Sequence, residues 1–175
     1  QWTLLPSMLQ ARNRLGVGVI DCNIYAVGGS CGQQIYASME RFSVGPGTKS
    51  WTQVAPMHIP RIGLAVCTHS RLLYAIGGFD GRQRLVNVES YNPDTNVWTY
   101  EQPLRIGRSG AAAVSLAQFI YVVGGYASDS IEGPTQLDSV ERYDTTTAQQ
   151  FIYIASIVIA QRKIRVVLYR FIAVV

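Results

Sequence analysis

Side chains suited to catalysis or metal binding are few and scattered in this sequence. The histidines are His58 and His69, and the three cysteines, Cys22, Cys31 and Cys67, form no Cys-x-x-Cys pair. A copper or zinc centre needs clustered imidazole, thiolate or phenolate ligands, and the sequence has no glycine-rich phosphate loop or spaced Ser/His/Asp set. We therefore expect a protein that is not an enzyme and that binds no metal and no cofactor. A copper oxidase is the enzymatic alternative.

The other candidate chemistry is recognition of negative charge by arginine. A guanidinium binds a carboxylate through two parallel hydrogen bonds, whereas a lysine ammonium acts as a mobile point charge. Arg14, Arg61 and Arg108 each stand two residues before a glycine, at offsets of 47 and 47 residues. Recurrence at one repeat position favours hydrogen bonding between repeated units as the role of these arginines, with recognition of a ligand as the alternative. Arg84, in a polar stretch beside Arg82, reads as solvated surface on its own.

The net charge of +4 does not indicate a nucleic-acid partner. Through Gln150 eleven Lys and Arg balance eleven Asp and Glu, so the whole excess lies in the last 25 residues. Arg162 and Lys163 also interrupt the apolar run 151–160, which is far shorter than the roughly 20 residues of a membrane-spanning helix. We expect neither a nucleic-acid nor a membrane partner. The odd cysteine count and the lack of Asn-x-Ser/Thr sites favour a cytoplasmic protein, or one that is also nuclear.

Self-comparison reveals three copies of one unit. A Gly-Gly pair, a tyrosine and a tryptophan each recur at offsets of 49 and then 47 residues. Two adjacent glycines predict positive φ and a close approach of the backbone to a crowded centre. A glutamate that recurs in the third strand of each unit is expected to be buried and paired with backbone or arginine. The recurring residues are Gly28, Gly77 and Gly124, Tyr25, Tyr74 and Tyr121, Trp2, Trp51 and Trp98, and Glu40, Glu89 and Glu141.

Each unit contains four predicted strands. The first two are almost continuously apolar, which is typical of strands buried on both faces. The third alternates, and the fourth begins at the tryptophan and ends before a proline. Four short strands repeated about every 50 residues predict an all-β fold of the kelch β-propeller type. The predicted strands are 15–20, 24–29, 37–42 and 51–55, then 62–67, 72–78, 86–91 and 98–102, then 109–116, 119–125 and 137–143.

Several sequence motifs carry a family resemblance. "YAVGG", "YAIGGFDG", "YVVGGY", "SVERYD" and "YNPDTNVW" are kelch motifs as they stand. Over residues 1–147 the chain resembles, more closely, the kelch domains of the Kelch-like ECH-associated group of BTB-kelch proteins, through "QARNRLGVGVIDCNIYAVGGS", "RLLYAIGGFDGRQRL" and "LDSVERYD". The resemblance implies the substrate-recognition part of a cullin-type ubiquitin-ligase adaptor. Its partner would be a short acidic degron of a stress-response transcription factor, and the cullin ligase would bind through regions not in this chain.

The resemblance also implies which residues form the peptide site. One mouth of the ring is lined by residues that enter each blade and residues that follow the Gly-Gly pairs. The local match around "RNRLGVG" favours a binding role for Arg14, and Arg14 and Arg84 are expected to be the main carboxylate clamps. A generic kelch scaffold that binds actin or another protein is the alternative. The implied site residues are Asn13, Arg14, Ser30, Phe79, Arg84, Arg108, Ser109, Tyr126 and Gln136.

The third unit departs from the repeat. Gly125 and Glu141 are 16 positions apart, where the corresponding residues of the other units are 11 apart, so the longer loop has room to shift Tyr126 and Gln136. We assign 1–5 to the last strand of a preceding blade, 6–55, 56–102 and 103–154 to three blades, and 155–175 to a degenerate partial blade. Three blades alone leave apolar faces that normally pack on neighbours. Rings of the family that the chain resembles have six blades, so we interpret the sequence as a fragment of such a ring. The alternatives are that several chains complete one ring, or that the tail comes from an altered reading of the gene.

Overall fold

The chain folds into three four-stranded antiparallel sheets. The computed structural model describes residues 1–47, 49–130, 133–147 and 149–156, and no helix occurs among them. The first blade contains β1 (Gly16–Ile20), β2 (Asn23–Val27), the short strands β3 (Ser30–Cys31) and β4 (Gln34–Ile35), β5 (Met39–Ser43) and β6 (Trp51–Val54). The second contains β7 (Ala65–His69), β8 (Leu72–Ile76), β9 (Val88–Asn92) and β10 (Val97–Glu101). The third contains β11 (Arg108–Ser109), β12 (Ala112–Leu116), β13 (Phe119–Val123), β14 (Tyr126–Ser130), β15 (Gly133–Gln136), β16 (Ser139–Asp144) and β17 (Gln149–Ser156).

The strand order in each sheet follows the chain. The three sheets run β1-β2-β5-β6, β7-β8-β9-β10 and β12-β13-β16-β17, which confirms the predicted all-β fold with four strands per blade. Each first hairpin turns on two residues, and Asp21, Ser70 and Ala117 take the left-handed φ of 51°, 48° and 51° that such tight turns require. The first strand of the second blade, β7, lies against both β1 and β12, as expected when blades converge on a common axis.

Two apolar layers hold the three blades together. Tyr25 and Val27 of the first blade pack on Leu73, Tyr91 and Trp98 of the second, and all five are buried. A second layer between the second and third blades is built in the same way and includes Ile76, Ile120 and Tyr143. Cys67 lies in that second layer, where burial raises the pKa of its thiol to about 12. The repeated tyrosines and tryptophans therefore serve mainly as packing groups, which bury large flat surfaces.

The Gly-Gly pairs make room for the neighbouring blade. All six of their glycines have positive φ, as the sequence predicts. A Cβ on Gly77 would lie 2.4 Å from the carbonyl oxygen of Arg108. The next glycine, Gly78, donates its amide to that same oxygen at 2.8 Å. The close approach between blades is thus fixed by a backbone hydrogen bond that only a residue without a side chain permits.

Each blade also contains a buried arginine paired with a buried glutamate. The guanidinium donates to a carbonyl just after the second strand and to one at or just before the start of the third strand. The carboxylate accepts amides of the segment that enters the blade. Burial lowers the pKa of the Arg61 guanidinium, and Glu89 opposes that shift. The structural role predicted for the glutamates is confirmed. The pairs are Arg12–Glu40 at 2.6 Å, Arg61–Glu89, and Arg108–Glu141 at 2.6 Å.

The repeat register of the arginines needs one correction. Sequence matching aligned Arg14 with Arg61 and Arg108, but the residue that occupies their place is Arg12, 49 positions before Arg61. Arg61 and Arg108 are each followed, two residues later, by a glycine. Two residues after Arg12 the sequence has Arg14 in place of that glycine, so the pattern did not identify Arg12. Arg14 is therefore the counterpart of Gly63 and Gly110.

The two ends of the chain differ in how far the prediction can be followed. Residues 1–5, assigned to the last strand of a preceding blade, form no strand, and Trp2 and Leu4 are fully exposed. A fourth strand needs the third strand of its own sheet, and no such strand lies beside them among the described residues. At the other end β17 completes the third blade by pairing with β16. The degenerate blade assigned to 155–175 lies outside the described residues from 157 onward.

Replacing Gly77 by alanine tests the close approach between blades. Gly32 serves as the control, because its φ of 57° matches the 60° of Gly77 and a Cβ there meets nothing within 4 Å. We expect Gly32→Ala to lower the free energy of unfolding by about 1 kcal/mol through backbone strain. Gly77→Ala should cost on the order of 1–3 kcal/mol more because its Cβ clashes with the Arg108 carbonyl, as measured by urea unfolding. Equal losses for the two variants would show that the contact is not tight.

Removing Arg108 tests the buried ion pair. Arg108→Met keeps much of the side-chain volume but leaves the buried Glu141 carboxylate without its counter-charge. Breaking a buried pair in this way costs about 3–5 kcal/mol. We expect a loss of that size in urea unfolding, whereas Arg105→Met, at an exposed neighbouring position, should change stability little. A stable Arg108→Met variant would contradict the structural role.

Candidate functional site

One end of the sheets carries a backbone arrangement that is repeated in all three blades. The residue that enters each blade pairs with the residue that follows the Gly-Gly pair. Asn13 exchanges two backbone hydrogen bonds with Ser30, at 2.8 and 2.9 Å. The same pairing joins Ile62 with Phe79 in the second blade and Ser109 with Tyr126 in the third. The three blades thus present equivalent side-chain positions around a common centre.

A line of backbone hydrogen bonds connects these entry segments across the blades. The amide of Gly63 donates to the carbonyl of Arg14 at 2.8 Å, and the amide of Gly110 donates to the carbonyl of Gly63 at 2.7 Å. All three equivalent residues have left-handed φ, of 51°, 58° and 68° for Arg14, Gly63 and Gly110. A left-handed residue with a Cβ costs roughly 1–2 kcal/mol. Arg14 therefore bears a backbone strain that glycine avoids in the other two blades.

An open pocket of about 520 Å³ lies at this end. Its lining combines guanidinium groups, hydroxyls, aromatic rings and aliphatic side chains, so it offers hydrogen-bond donors next to apolar surface. The lining residues are Arg14, Leu15, Ile62, Gly63, Phe79, Arg84, Ser109, Gly110 and Tyr126.

Arg84 is held in the pocket by its neighbours. Its Nε donates to the Ser109 hydroxyl at 3.2 Å, and its guanidinium carbon lies 5.9 Å from the centre of the Phe79 ring. The loop before it is fixed by Asp80, whose Oδ1 accepts the amides of Arg82 and Gln83 at 2.7 and 2.8 Å. Burial alone would raise the pKa of Asp80, but these amides lower it overall. Arg84 is therefore a positioned side chain and not the freely solvated residue that its local sequence suggests.

Arg14 differs from Arg84 in its surroundings. Its side chain is exposed, and no ion pair joins it to any carboxylate that the structure describes. Its backbone, by contrast, is fixed by the bond from Gly63. The guanidinium thus stands on a rigid point of the chain at the edge of the pocket.

The structure gathers five of the nine predicted site residues in this pocket: Arg14, Phe79, Arg84, Ser109 and Tyr126. Asn13 and Ser30 lie next to it and bind each other, since the Ser30 hydroxyl donates to Asn13 Oδ1 at 2.8 Å. Gln136 pairs with Tyr126 in the β14–β15 hairpin but does not line the pocket. The longer loop of the third blade therefore leaves Tyr126 in place. A ligand-binding role for these residues stays a prediction.

Arg108 is placed elsewhere, contrary to its assignment to the peptide site. Its guanidinium donates to the carbonyls of Gly124 and Ser139 and to Glu141, and the residue is 1% exposed. The two Nη groups of this guanidinium donate inside the blade and its Nε is buried, so Arg108 has no donor to offer a ligand at the pocket. The alternative explanation by structural hydrogen bonding is the one that fits Arg108.

Sequence reasoning missed the apolar part of the pocket. Leu15 and Ile62 are lining residues that the sequence did not single out. A signal for Ile62 existed, because it occupies the same repeat position as Asn13 and Ser109. Ile62 was not predicted because the candidate site residues were chosen for polar or charged chemistry.

The histidines are engaged in contacts within the fold. His58 Nδ1 lies 2.7 Å from Glu89 Oε2, and its ring stacks on Tyr100. His69 contacts the Ser115 and Thr145 hydroxyls at 2.7 and 3.0 Å. No group of three or more metal-ligating side chains is found within the described ranges. A search of the same residues finds no helix with the length and apolarity needed to cross a membrane.

Comparisons with known proteins match this architecture. A family model described as the Kelch motif matches residues 11–58, 60–105 and 107–150. Beta-scruin of Limulus polyphemus is 34% identical over 79 residues, which are 45% of this chain and 8% of that protein. Kelch-like ECH-associated protein 1B of Danio rerio is 48% identical over 73 residues, which are 39% of this chain and 12% of that protein. The chain thus spans about a tenth of these relatives.

A solved structure also shares the fold. The structure of YjhT matches with a TM-score of 0.74 at 18% sequence identity, covering 87% of this chain and 52% of the YjhT chain. At this identity the likeness concerns the fold alone. Its propeller supports the arrangement of the blades around a common axis.

Replacing Arg14 by glycine separates a binding role from a folding role. Glycine removes the left-handed strain of roughly 1–2 kcal/mol, and its greater flexibility in the unfolded chain offsets part of that gain. We expect Arg14→Gly to raise the free energy of unfolding by about 0.5–1 kcal/mol in urea unfolding. Arg14→Ala keeps the strain while removing the guanidinium, so its stability should match that of the unmodified chain. A destabilised Arg14→Gly variant would mean that the side chain itself supports the fold.

Proposed function

Since the chain belongs to the kelch-repeat family, we propose that its pocket captures a short acidic peptide, as the substrate-recognition part of a cullin-type ubiquitin-ligase adaptor. The kelch repeats and the Kelch-like relatives support a protein-binding module. The peptide partner is a degron of a stress-response transcription factor. The cullin ligase binds through regions not in this chain.

The observation that carries the proposal is the pair of arginines on one open pocket. Arg14 stands on a strained but fixed backbone, and Arg84 is oriented by Ser109 and Phe79. A guanidinium fork binds a carboxylate bidentately, and holding the Arg84 side chain in place beforehand reduces the entropy lost on binding. The Ser109 and Tyr126 hydroxyls add neutral donors beside them. This set of groups suits a compact turn that carries two carboxylates.

The backbone strain at Arg14 supports a role in recognition. Non-glycine residues held in left-handed conformations cluster at functional sites, where the surrounding structure maintains them. The other two blades have glycine at this position, so the fold itself does not require a side chain there. The identity of 48% to Kelch-like ECH-associated protein 1B over 73 residues is consistent with this group of adaptors.

The same proposal makes the chain a binding module and not an enzyme. It also assigns the chain to the cytoplasm and to the nucleus, where transcription factors act. Both points follow from the proposed capture of a transcription-factor peptide. A generic scaffold that binds actin or another protein would have the same fold, but its binding would not depend on Arg14 and Arg84. Peptide binding distinguishes the two functions.

The test is a titration of the chain with a fluorescent peptide that carries a Glu-Thr-Gly-Glu turn. A hydrogen bond to a charged group contributes about 1.5–3 kcal/mol, so Arg84→Ala should weaken binding roughly 10- to 100-fold. Fluorescence anisotropy gives the dissociation constant. Arg82→Ala is the matched control, because Arg82 lies two residues away and is exposed outside the pocket.

A second control changes the ligand. A peptide with both glutamates replaced by glutamine keeps size and shape but removes the charges that the guanidinium groups recognise. We expect it not to bind. Binding that survives Arg84→Ala and glutamine substitution alike, in a folded chain, would contradict an acidic-peptide site and favour the generic scaffold.

A further inference from the structure

The loop of the second blade that supplies Arg84 also carries a carboxylate. Asp80 lies in the chain between Phe79 and Arg84, both of which line the pocket, but it is not a lining residue itself. Burial raises the pKa of Asp80, and the amides of Gln83 and Arg82 outweigh that effect, so its pKa lies below the usual value and the group is ionised at neutral pH. A negative charge beside a site for carboxylates repels the ligand. Its presence here needs another reason.

The carboxylate is used inside the loop. Asp80 Oδ1 accepts the amides of Arg82 and Gln83 at 2.7 and 2.8 Å, and the Asp80 amide donates to the Gln83 carbonyl at 3.2 Å. Hydrogen bonds to a charged acceptor are roughly twice as strong as neutral ones. Asp80 therefore closes residues 80–83 into one compact turn, and the backbone bridge between Phe79 and Arg84 forms the base of that turn.

The neighbouring blades hold this turn from both sides. Gly81 has a φ of 101°, and a Cβ there would lie 3.2 Å from Ile35 Cδ1 of the first blade. A Cβ on Gly107 would lie 2.4 Å from the Arg84 carbonyl oxygen, so the segment that enters the third blade packs against the backbone of Arg84. These contacts fix where the turn lies. Its internal conformation depends on the hydrogen bonds to Asp80.

The other two blades lack this combination of a carboxylate and an arginine. The residue after the Gly-Gly pair bonds with the last residue of the loop in all three blades, so the loops can be compared position by position. Only the second of the three blades has an acid at the second loop position and a guanidinium at the last one. The counterparts of Asp80 and Arg84 are Cys31 and Ile35 in the first blade, and Ala127 and Gln136 in the third.

We propose that Asp80 is a positioning residue for Arg84: it holds the turn that directs the guanidinium into the pocket, and so raises the affinity for an acidic peptide although its own charge is negative. From this turn Arg84 reaches the Ser109 hydroxyl at 3.2 Å and lies 5.9 Å from the centre of the Phe79 ring. A loosened turn leaves Arg84 more conformations, and ordering them on binding lowers the affinity. The effect on binding rests on the proposed function, whereas the orientation of Arg84 is measurable without a peptide.

Two substitutions at Asp80 separate the hydrogen bonds from the charge. Asp80→Ala removes both, and we expect the dissociation constant for the fluorescent Glu-Thr-Gly-Glu peptide to rise roughly 3- to 10-fold. Asp80→Asn keeps an oxygen that accepts the two amides and removes the charge, so it should bind at least as tightly as the unmodified chain. An Asp80→Ala variant that binds as tightly as Asp80→Asn would overturn the proposal, because charge repulsion alone predicts that result.

Asp138→Ala is the matched control for the loss of a carboxylate. Asp138 is exposed, directly precedes β16 and does not line the pocket. Its removal should leave the dissociation constant nearly unchanged, because an exposed charge away from the ligand is screened by salt. A loss equal to that of Asp80→Ala would contradict a specific role for Asp80. Circular dichroism verifies that all the variants are folded.

A double-mutant cycle tests whether Asp80 acts through Arg84. In a chain that already carries Arg84→Ala, the further change Asp80→Ala should alter the dissociation constant by less than about twofold, because the group that it positions is absent. Two full and additive losses would show that Asp80 acts independently of Arg84, and would overturn the assignment.

Nitrogen-15 relaxation of the Arg84 side chain gives the result that needs no peptide. The Nε–H signal is assigned by its absence from the spectrum of Arg84→Ala. We expect a high order parameter in the unmodified chain and in Asp80→Asn, and a clearly lower one in Asp80→Ala, where the side chain moves on the picosecond to nanosecond timescale. An order parameter that stays high in Asp80→Ala would overturn the positioning role. Loss of order in Asp80→Ala, when the unmodified chain binds no peptide, would support that role and contradict the proposed function.

Discussion

In each blade one buried guanidinium joins three parts of the chain that are distant in sequence. Arg108 lies on the segment that enters the third blade, and its guanidinium donates to the carbonyl of Gly124 just after β13, to the carbonyl of Ser139 and to the Glu141 carboxylate. Glu141 in turn accepts the amides of Arg105 and Ile106. An uncompensated charge in this environment is expensive, so all the partners must be in place together. Because the entry segment is fixed in this way, the residue that follows the arginine lies at the end of the blade that carries the pocket.

The candidate site therefore depends on groups that never touch its pocket. Asn13, Ile62 and Ser109 each follow one of the buried arginines directly, and each pairs with the residue after a Gly-Gly pair. The packing of tyrosines and tryptophans between blades holds the sheets at their mutual angle, while the line of bonds through Arg14, Gly63 and Gly110 holds the entry segments together. The candidate binding side chains are therefore positioned by interblade packing and backbone hydrogen bonds in which they take no part themselves.

The sequence was sufficient to predict the blades because their signals are local. Apolar strands, paired glycines and aromatic residues at fixed offsets each reflect a requirement within about 50 residues of chain. The site was less predictable. Arg14 was aligned with Arg61 because each stands two residues before a glycine. In the structure Arg14 instead occupies the position of the glycine Gly63, so the spacing to a glycine was misleading in the first blade. Arg108 has a structural role because its side chain is buried in the sheet. Sequence spacing alone does not show whether a guanidinium points to the pocket or into the sheet.

The position after each Gly-Gly pair holds serine, phenylalanine and tyrosine in Ser30, Phe79 and Tyr126, on backbone that is paired alike in all three blades. Three side chains so different in size and polarity at one geometry mean that the frame places little demand on their chemistry. A mouth of this kind can acquire a new ligand preference through substitutions at a few interchangeable positions, with the core left untouched. Selectivity and foldability are in this sense encoded in separate sets of residues.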